Sequence, residues 1–160
     1  MVTGNQNSVQ DILSKISGLN EAESLRLLSS LFFGTTVFST SFSSEDQVIT
    51  DMLSQHQLPV EIFTLDTGRL FPETYSTWSR TLEQYGKPIY AYYPDTLALQ
   101  QFIADKGPNN FYESVENRLE CCHIRKVLPL QRALQGKKVW VTGLRAEQSE
   151  NRKNLSLFQW

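Results

Sequence analysis

The sequence predicts an α/β fold, with a mostly parallel sheet, helices on both of its faces and a helical cap at the start of the chain. Two observations predict it. From about residue 35, short apolar segments alternate with amphipathic segments of helical spacing, which is typical of parallel sheets covered on both faces. Unusual polar clusters follow the predicted strands, at the edge where such sheets bind ligands. The 160 residues are enough for one domain with a buried core.

Two helices are expected in residues 1–34, which we interpret as a cap on the main domain in residues 35–160. Apolar residues recur at helical spacing from Val9 to Leu19, with Ser8 as the expected N-cap. Asn20 and Glu23 form a capping-box pattern at the start of the second helix.

Five strands are expected in the main domain, over residues 37–42, 60–65, 89–93, 139–144 and 155–160. The helices between them are expected over residues 45–56, 72–85, 95–104 and 114–135, with Pro129 kinking the last one. A chain that stops within the fifth strand would leave an unpaired strand edge and exposed apolar residues. We therefore expect poor solubility or self-association.

Charge and composition exclude several classes of protein. A net charge of −2 and a pI near 5.7 give no overall basic field for nucleic acid or a membrane surface. Neither a signal peptide nor a membrane-spanning segment is recognisable. Cys121 and Cys122 are the only cysteines, and direct neighbours are poorly placed for an ordinary disulfide, so we expect a reducing, cytoplasmic location.

The first polar cluster, residues 39–46, reads Ser-Thr-Ser-Phe-Ser-Ser-Glu-Asp and leads directly into a helix. Hydroxyl groups and unpaired backbone N–H groups at a helix N-terminus suit a phosphate or sulfate group. Ser39, Thr40 and Ser41 are therefore candidate anion ligands, although a run of N-capping residues has the same composition. The cluster is not a Walker A loop, because it lacks the Gly-Lys-Ser/Thr ending.

Two further clusters follow the second and fourth strands. Residues 65–69, Leu-Asp-Thr-Gly-Arg, combine a glycine that allows close backbone approach to a ligand with an arginine that offers a planar fork of donors. Residues 143–149 carry Arg145, and Arg152 and Lys153 follow, which places several cations on a loop able to close over an anion. The alternatives are a turn with a solvated arginine and a charged surface loop.

The two cysteines, Cys121 and Cys122, are followed closely by Arg125 and Lys126. Neighbouring residues on a helix point about 100° apart, so both thiols reach one metal centre only under local constraint. Two reduced core thiols are the alternative. A four-cysteine iron–sulfur site needs two more thiolates, and this sequence contains none.

Together these motifs resemble the adenylyl-sulfate and phosphoadenylyl-sulfate reductases, within the PP-loop (adenine nucleotide alpha hydrolase-like) superfamily. Residues 39–46 are similar to the family's modified phosphate loop, with Ser43 where the family usually has Gly. Residues 65–74 are similar to its Leu-Asp-Thr-Gly-Arg signature and the Phe-Pro-Glu-Thr helix start that follows. Residues 143–149 are similar to its arginine-bearing loop, with Ala146 where a second Arg is frequent. If position 43 needs a positive φ, serine there adds strain.

The resemblance implies roles for particular residues. The Cys121–Cys122 pair is similar to the half-site by which adenylyl-sulfate reductases bind a [4Fe-4S] cluster, and Lys126 matches a lysine beside that cluster. In the family the other two ligands come from a later Cys-x-x-Cys, and the nucleophile from a cysteine near the C-terminus. Neither segment is in this sequence, so we expect a C-terminally truncated chain that is inactive alone. The residues to which the resemblance assigns the nucleotide and phosphosulfate are Ser39, Thr40, Ser41, Leu65, Asp66, Gly68, Arg69, Lys126, Arg145 and Arg152, with Lys126 linking the cluster to the substrate.

The implied function is the assimilatory reduction of adenosine 5'-phosphosulfate to sulfite and AMP, an oxidoreductase step towards cysteine. A cysteine thiolate attacks the sulfate sulfur to give S-sulfocysteine, and a thioredoxin or glutaredoxin dithiol then releases sulfite. The alternatives are a phosphoadenylyl-sulfate reductase, an ATP pyrophosphatase of the same superfamily, and a truncated nucleotide-binding module without turnover. The tandem cysteines favour the adenylyl-sulfate enzyme, since the phosphoadenylyl-sulfate branch generally lacks the pair.

Overall fold

The computed structural model describes residues 4–145 and 156–159, with side chains from residue 9 onwards. Four strands lie in this part of the chain: β1 (Thr36–Ser39), β2 (Glu61–Leu65), β3 (Ile89–Tyr92) and β4 (Val139–Thr142). Its α-helices are α1 (Gly4–Ile16), α2 (Glu21–Leu31), α3 (Ser44–Gln55), α4 (Pro72–Tyr85), α5 (Thr96–Lys106), α6 (Val115–Cys122) and α7 (Leu128–Leu134). A 3₁₀ turn (Asn110–Tyr112) precedes α6, and a π-helical segment (His123–Val127) joins α6 to α7.

The strands form one parallel sheet in the order β3-β2-β1-β4, which confirms the predicted α/β fold. Phe38 in the centre of β1 is in register with Ile62 of β2 and Val141 of β4. The chain moves from β1 through β2 to β3 on one side and then returns to place β4 on the other. The strand order therefore reverses between β1 and β4, which is where such sheets open a crevice for ligands.

Alternate residues of the central strands build a separate core on each face of the sheet. Phe38 and Ile62 pack with Leu53 of α3 on one face. Val37 and Phe63 pack with Ala133 of α7 on the opposite face. Both faces are thus covered, and neighbouring residues of β1 and β2 are buried on opposite sides of the sheet, as expected for a parallel sheet.

The helical cap differs from the prediction at its first boundary. The α1 helix begins at Gly4, so Ser8 lies inside the helix and is not its N-cap. Serine costs only about 0.5 kcal/mol relative to alanine within a helix, so one capping residue does not fix a boundary. The predicted capping box is confirmed, because the Asn20 side chain accepts from the Glu23 amide and the Glu23 side chain accepts from the Asn20 amide.

The long helix predicted over residues 114–135 is interrupted earlier than expected. The α-helical pattern stops at Cys122, and the Leu128 amide donates to the carbonyl of His123, five residues back. Pro129 has no N–H, and its ring would clash with the carbonyl of Arg125 in a regular α-helix. The wider π turn before the proline is consistent with relief of that clash, so the kink extends back to His123 instead of being confined to Pro129.

The predicted fifth strand is not found among the described residues. Residues 156–159 have no strand hydrogen bonding, and Leu155 and Trp160 lie outside the described residues. Phe158 instead lines a cleft of about 410 Å³ together with Ile16 and Val141. A short apolar run takes strand or irregular structure according to what it packs against, which its sequence alone does not reveal. Within the described ranges, no helix is long and apolar enough to span a bilayer.

Candidate functional site

The loop after β1, residues 40–43, carries the first predicted cluster from the sheet into α3. The Ser43 hydroxyl accepts a hydrogen bond from the Asp46 amide at 3.4 Å and caps the helix. At the end of β1, the Ser39 hydroxyl accepts from Nε1 of Trp140 at 2.8 Å. The cluster thus starts a helix at the carboxyl edge of the sheet, where the sequence predicts a ligand site.

The carboxylate of Asp46 holds this loop in its shape. Asp46 is only 4% exposed, and its Oδ2 accepts from the Ser41 amide at 2.6 Å and the Ser41 hydroxyl at 2.8 Å. The Thr40 hydroxyl accepts from the Phe42 amide at 3.0 Å. Hydrogen bonds to an ionised carboxylate are stronger than neutral ones. Thr40 and Ser41 therefore organise the loop whose outer edge an anion would meet.

The positive φ in this loop lies at Phe42, not at Ser43. Phe42 has a φ of 64°, whereas Ser43 has a φ of −67°. The strain expected from serine at position 43 is therefore absent, because an N-cap residue takes an extended conformation. The Phe42 ring is buried and stacks on Trp78 at 5.5 Å between centroids, which helps to offset the cost of its backbone conformation.

Gly143 brings the end of β4 against the first turn of α3. A Cβ atom at this position would lie 2.2 Å from Oδ1 of Asp46 and 3.2 Å from the Asp46 amide nitrogen. Only glycine allows so close an approach. The sequence marked Gly143 merely as the first residue of a polar cluster. A glycine directly after a strand was the signal that pointed to close packing.

The turn after β2 is built around a second buried carboxylate. Asp66 is 5% exposed and accepts from the Gly68 amide at 2.8 Å and from the Tyr75 hydroxyl at 2.9 Å. Gly68 has a φ of 70°, which glycine adopts without strain. The hydrogen bond to Asp66, followed by desolvation, raises the pKa of Tyr75. Leu65 ends β2 and is half-buried at the start of this turn.

Arg69, predicted to bind an oxyanion, is engaged with another part of the protein. Its Nη1 donates to the carbonyl of Pro108 at 2.8 Å, and its Nη2 donates to Oδ1 of Asn109 at 3.0 Å. The guanidinium also lies 4.8 Å from the centre of the Phe111 ring. In this arrangement the arginine fastens the segment before α6 to the turn after β2.

A cleft of about 600 Å³ lies beside the same turn. It is lined by Gly68 and by residues at the end of β3 and along α5, among them Tyr93, Leu99 and Ile103. The lining is largely apolar. The cleft therefore offers room for a ring system but few groups to hold a phosphate.

Arg145 lies just after β4 and faces the start of α3. Its Nη2 is 2.6 Å from Oε1 of Glu45, and the arginine side chain is 60% exposed. A backbone hydrogen bond lowers the pKa of Glu45, with smaller contributions that include the cation of Arg145. The structure thus brings this predicted cation to the loop after β1. Arg152, Lys153 and Ala146 lie outside the described residues.

The cysteine pair lies at the junction of α6 and the π-helical segment. Cys121 is buried and Cys122 is half-buried, and Lys126 is exposed four residues further on. Across residues 4–145 and 156–159 there is no group of three or more His, Cys, Asp or Glu side chains that could hold a metal ion. Two thiols are half of the four thiolates that a [4Fe-4S] cluster needs.

Arg125 is a residue whose role the sequence did not indicate. It is 6% exposed, and its Nη1 donates to the carbonyl of Thr67 at 2.6 Å. The cysteine-bearing helix is thereby joined to the turn after β2. Charged side chains are rarely buried this deeply unless they have a partner, so its burial marks Arg125 as a candidate functional residue. The sequence gives no sign of that burial.

Comparison with known proteins decides the family. The model of the phosphoadenosine phosphosulfate reductase domain matches residues 35–160. The chain belongs to this family.

Relatives of the chain carry a more specific name. The adenosine 5'-phosphosulfate reductase of Sinorhizobium fredii (strain NGR234) is 47% identical over 138 residues, which are 86% of this chain and 55% of the relative. The enzyme of the same name from Allochromatium vinosum is 43% identical over 142 residues, 88% of this chain and 56% of the relative. The chain thus spans about half the length of the curated relatives it matches.

A solved structure shows the same fold. The phosphoadenylyl-sulfate reductase from Candida auris, in a phosphate complex, superposes with a TM-score of 0.73 at 24% sequence identity. The match covers 88% of this chain and 68% of that one. At this identity the likeness concerns the fold alone.

In this reductase-domain chain, the predicted site residues fall into two groups. The first lies between β1 and β4 and comprises Ser39, Thr40, Ser41 and Arg145. The second lies around the turn after β2 and comprises Leu65, Asp66, Gly68 and Arg69. Gly143 joins the first group through Asp46, and Arg125 joins the cysteine pair to the second.

Proposed function

We propose that this chain binds adenosine 5'-phosphosulfate at the carboxyl edge of its sheet and forms the nucleotide-binding part of an assimilatory adenylyl-sulfate reductase. The observation that carries the proposal is the meeting of the loop after β1 with the end of β4 at Asp46 and Gly143. This is the point at which the strand order reverses. The relatives named adenosine 5'-phosphosulfate reductase supply the substrate class.

The proposed anion site lies at the N-terminus of α3. Thr40 and Ser41 fix the loop, and the first backbone amides of the helix offer donors at the positive end of its dipole. Ser39 extends the same edge, and Arg145 and Arg152 supply cations from the segment after β4. The ion pair with Glu45 holds Arg145 next to the start of α3. On binding, Arg145 is proposed to exchange the Glu45 carboxylate for a phosphosulfate oxygen.

The nucleotide end of the ligand is proposed to contact the turn after β2. Gly68 allows a ligand to approach the backbone, and the Asp66 carboxylate keeps the turn rigid. Leu65 contributes backbone groups at the end of β2. Arg69 contributes by fastening the segment before α6, and it reaches the ligand only if it leaves Pro108.

The proposed reaction is a two-electron reduction carried by thiols. A cysteine thiolate attacks the sulfate sulfur, an S–S bond forms, the bond from sulfur to the bridging phosphate oxygen breaks, and AMP leaves with that oxygen. A thioredoxin or glutaredoxin dithiol then releases sulfite and becomes a disulfide. This chain's part is to hold the phosphate and present the sulfur. The attacking thiolate is assigned to neither Cys121 nor Cys122.

The tandem cysteines are proposed to hold two corners of a [4Fe-4S] cluster. The two adjacent thiols at the end of α6 supply half of the four thiolates that such a cluster needs. A bound cluster would supply thiolate-ligated iron and its charge. Lys126, exposed on the same segment, would offset part of that charge.

Further features of the whole protein are also proposals. We place it in the cytoplasm, with residues 1–34 as a cap on a reductase domain in residues 35–160. Among the described residues the outer edge of β4 is unpaired, which favours self-association. Light scattering on the purified chain tests this last point.

The second candidate is a phosphoadenylyl-sulfate reductase, the activity named for the family model. Titration calorimetry with AMP and with adenosine 3',5'-bisphosphate separates the two. We expect AMP to bind and the bisphosphate to bind at least about tenfold more weakly, a difference of about 1.4 kcal/mol. Tighter binding of the bisphosphate supports the second candidate instead. If neither nucleotide binds at millimolar concentration, the proposed site is wrong.

A further inference from the structure

Arg125 connects the helix end that carries the two cysteines to the turn after β2 through one buried contact. Its guanidinium is 2.6 Å from the carbonyl of Thr67, which lies 58 residues earlier in the chain. Nε of Arg125 is buried and has no hydrogen-bond partner among the described residues. The contact with Thr67 is therefore the polar interaction that keeps this cation in place.

The same guanidinium packs beneath the turn after β2. A Cβ atom added to Gly68 would lie 3.5 Å from Nη1 of Arg125, which places the cation in van der Waals reach of the turn. The turn itself is rigid, because Asp66 accepts from the Gly68 amide. A displacement of the turn is thus passed directly to the arginine.

On the helix side, Arg125 shares its buried face with Cys121. The two residues are four positions apart, across the junction of α6 and the π-helical segment, and they are 6% and 8% exposed. Single π turns inside helices occur frequently at functional sites. Here the π turn contains Arg125, which contacts Thr67, and it directly follows the end of α6, where Cys121 is buried.

We propose that Arg125 is a positioning residue that couples nucleotide binding at the turn after β2 to the helix end that carries Cys121 and Cys122. The proposal rests on the proposed nucleotide site. A charged donor buried with one partner is costly to separate from it, so the arginine follows the turn. A bound nucleotide that restrains the turn therefore also restrains the helix end. Local opening of that helix end then exposes the buried Cys121 thiol less often.

The test measures how fast the Cys121 thiol reacts with a disulfide reagent, with and without saturating AMP. A Cys122→Ser background leaves Cys121 as the sole thiol. We expect AMP to slow the reaction by about fivefold or more, the lower end of ordinary coupling between sites. In Arg125→Met the ratio of the two rates should fall to about one while AMP still binds. Arg125→Lys, which keeps a cation, should recover part of the ratio.

The matched control is Arg118→Met, the same substitution at an exposed position of α6. Its ratio should equal that of the parent. A merely structural Arg125 predicts a different result: Cys121 would react faster with and without AMP, and the ratio would be preserved. That result, or an unchanged rate when AMP binds the parent, overturns the proposal.

Two further outcomes separate this inference from the proposed function. If AMP does not bind the parent at all, the proposed site fails and the coupling fails with it. If Arg125→Met does not fold, Arg125→Lys and hydrogen exchange on the parent decide the question. AMP must then slow exchange at the amides of residues 121–125, and unchanged exchange there overturns the coupling while leaving the nucleotide site intact.

Discussion

The loop after β1 and the turn after β2 end neighbouring buried strands at the same edge of the sheet, yet they are held in different ways. In the first, the side chains of residues 40–43 bond to near neighbours, as Ser41 does to Asp46, five residues on. In the second, Arg69 reaches 39 and 40 residues along the chain, and Thr67 accepts from Arg125, 58 residues away. Over residues 40–43 the first is therefore self-contained in its side-chain hydrogen bonds, whereas the second is a junction between distant parts of the chain.

The two kinds of bonding determine how each region responds to movement elsewhere in the protein. A loop held by local bonds keeps its shape when other parts of the protein move, which suits the fixed placement of an anion. A turn held by long-range bonds changes with the elements that hold it. We therefore expect substitutions in the first region to act locally and those in the second to act at a distance.

The largest expected effect is at Gly143, where the self-contained loop meets β4. Gly143→Ala puts a Cβ atom 2.2 Å from a buried carboxylate oxygen, so the free energy of unfolding should fall by about 3 kcal/mol. Urea denaturation measures it. Gly136→Ala is the control, because a Cβ atom there has no other atom within 4 Å. Only the positive φ at this position should lower the free energy of unfolding, by about 1 kcal/mol. Equal losses in both variants would show that the contact with Asp46 is not tight.

A smaller but more local effect is expected at Asp46. Asp46→Ala removes the acceptor of both Ser41 donors and should lower the free energy of unfolding by about 2 kcal/mol. Hydrogen exchange should quicken at residues 41–46 and stay unchanged at residues 66–69. Asp105→Ala, at an exposed position, should change stability by less than about 0.5 kcal/mol. Faster exchange in both regions would contradict the view that the first loop is self-contained.

Arg69 should show the opposite behaviour. Arg69→Met removes two hydrogen bonds and the stacking on Phe111, so stability should fall by about 1 kcal/mol and exchange should quicken at residues 109–112. The affected residues are about 40 positions away in sequence, which is the mark of a junction. Unchanged exchange together with weaker binding of a phosphosulfate analogue would make Arg69 a ligand and not a fastener.

The smallest effect is a titration within the second region. The hydrogen bond from Tyr75 to the Asp66 carboxylate requires a neutral phenol and raises the pKa of Tyr75 above its usual value near 10. Any stability from this bond is present below pH 10 and is lost as the pH rises through the folded pKa, because the unfolded chain ionises first. Phenolate absorbance should show two of the six tyrosines ionising late, because burial and a hydrogen bond to Asp51 also raise the pKa of Tyr85. Asp66→Asn should return only Tyr75 to the ordinary range.

The local part of this structure could be predicted from the sequence. Alternating apolar segments gave the parallel sheet, and Asn20 with Glu23 predicted a capping box that the structure contains. The polar cluster after β1 was expected to begin a helix, and Ser43 caps it. Each of these features depends on residues within a few positions of one another, so spacing and composition carry the information.

Two of the features that were missed depend on residues distant in sequence, and a third is local. The close approach of Gly143 to Asp46 follows from β4 lying beside β1, which the order of strands along the chain does not reveal. The burial of Arg125 follows from where the turn after β2 lies in space. A positive φ was considered at Ser43 but lies at Phe42, one residue earlier. Spacing alone does not show which residue of a short loop becomes the N-cap.

A titration of AMP into the isotopically labelled chain, followed by amide chemical shifts, tests the proposed nucleotide site between β1 and β4. We expect the largest shifts at Ser41 to Ser44 and at Gly68 and Gly143, with little change in α1. Shifts confined to the cleft lined by Tyr93, Leu99 and Ile103, or no shifts at millimolar AMP, would contradict a nucleotide site between β1 and β4.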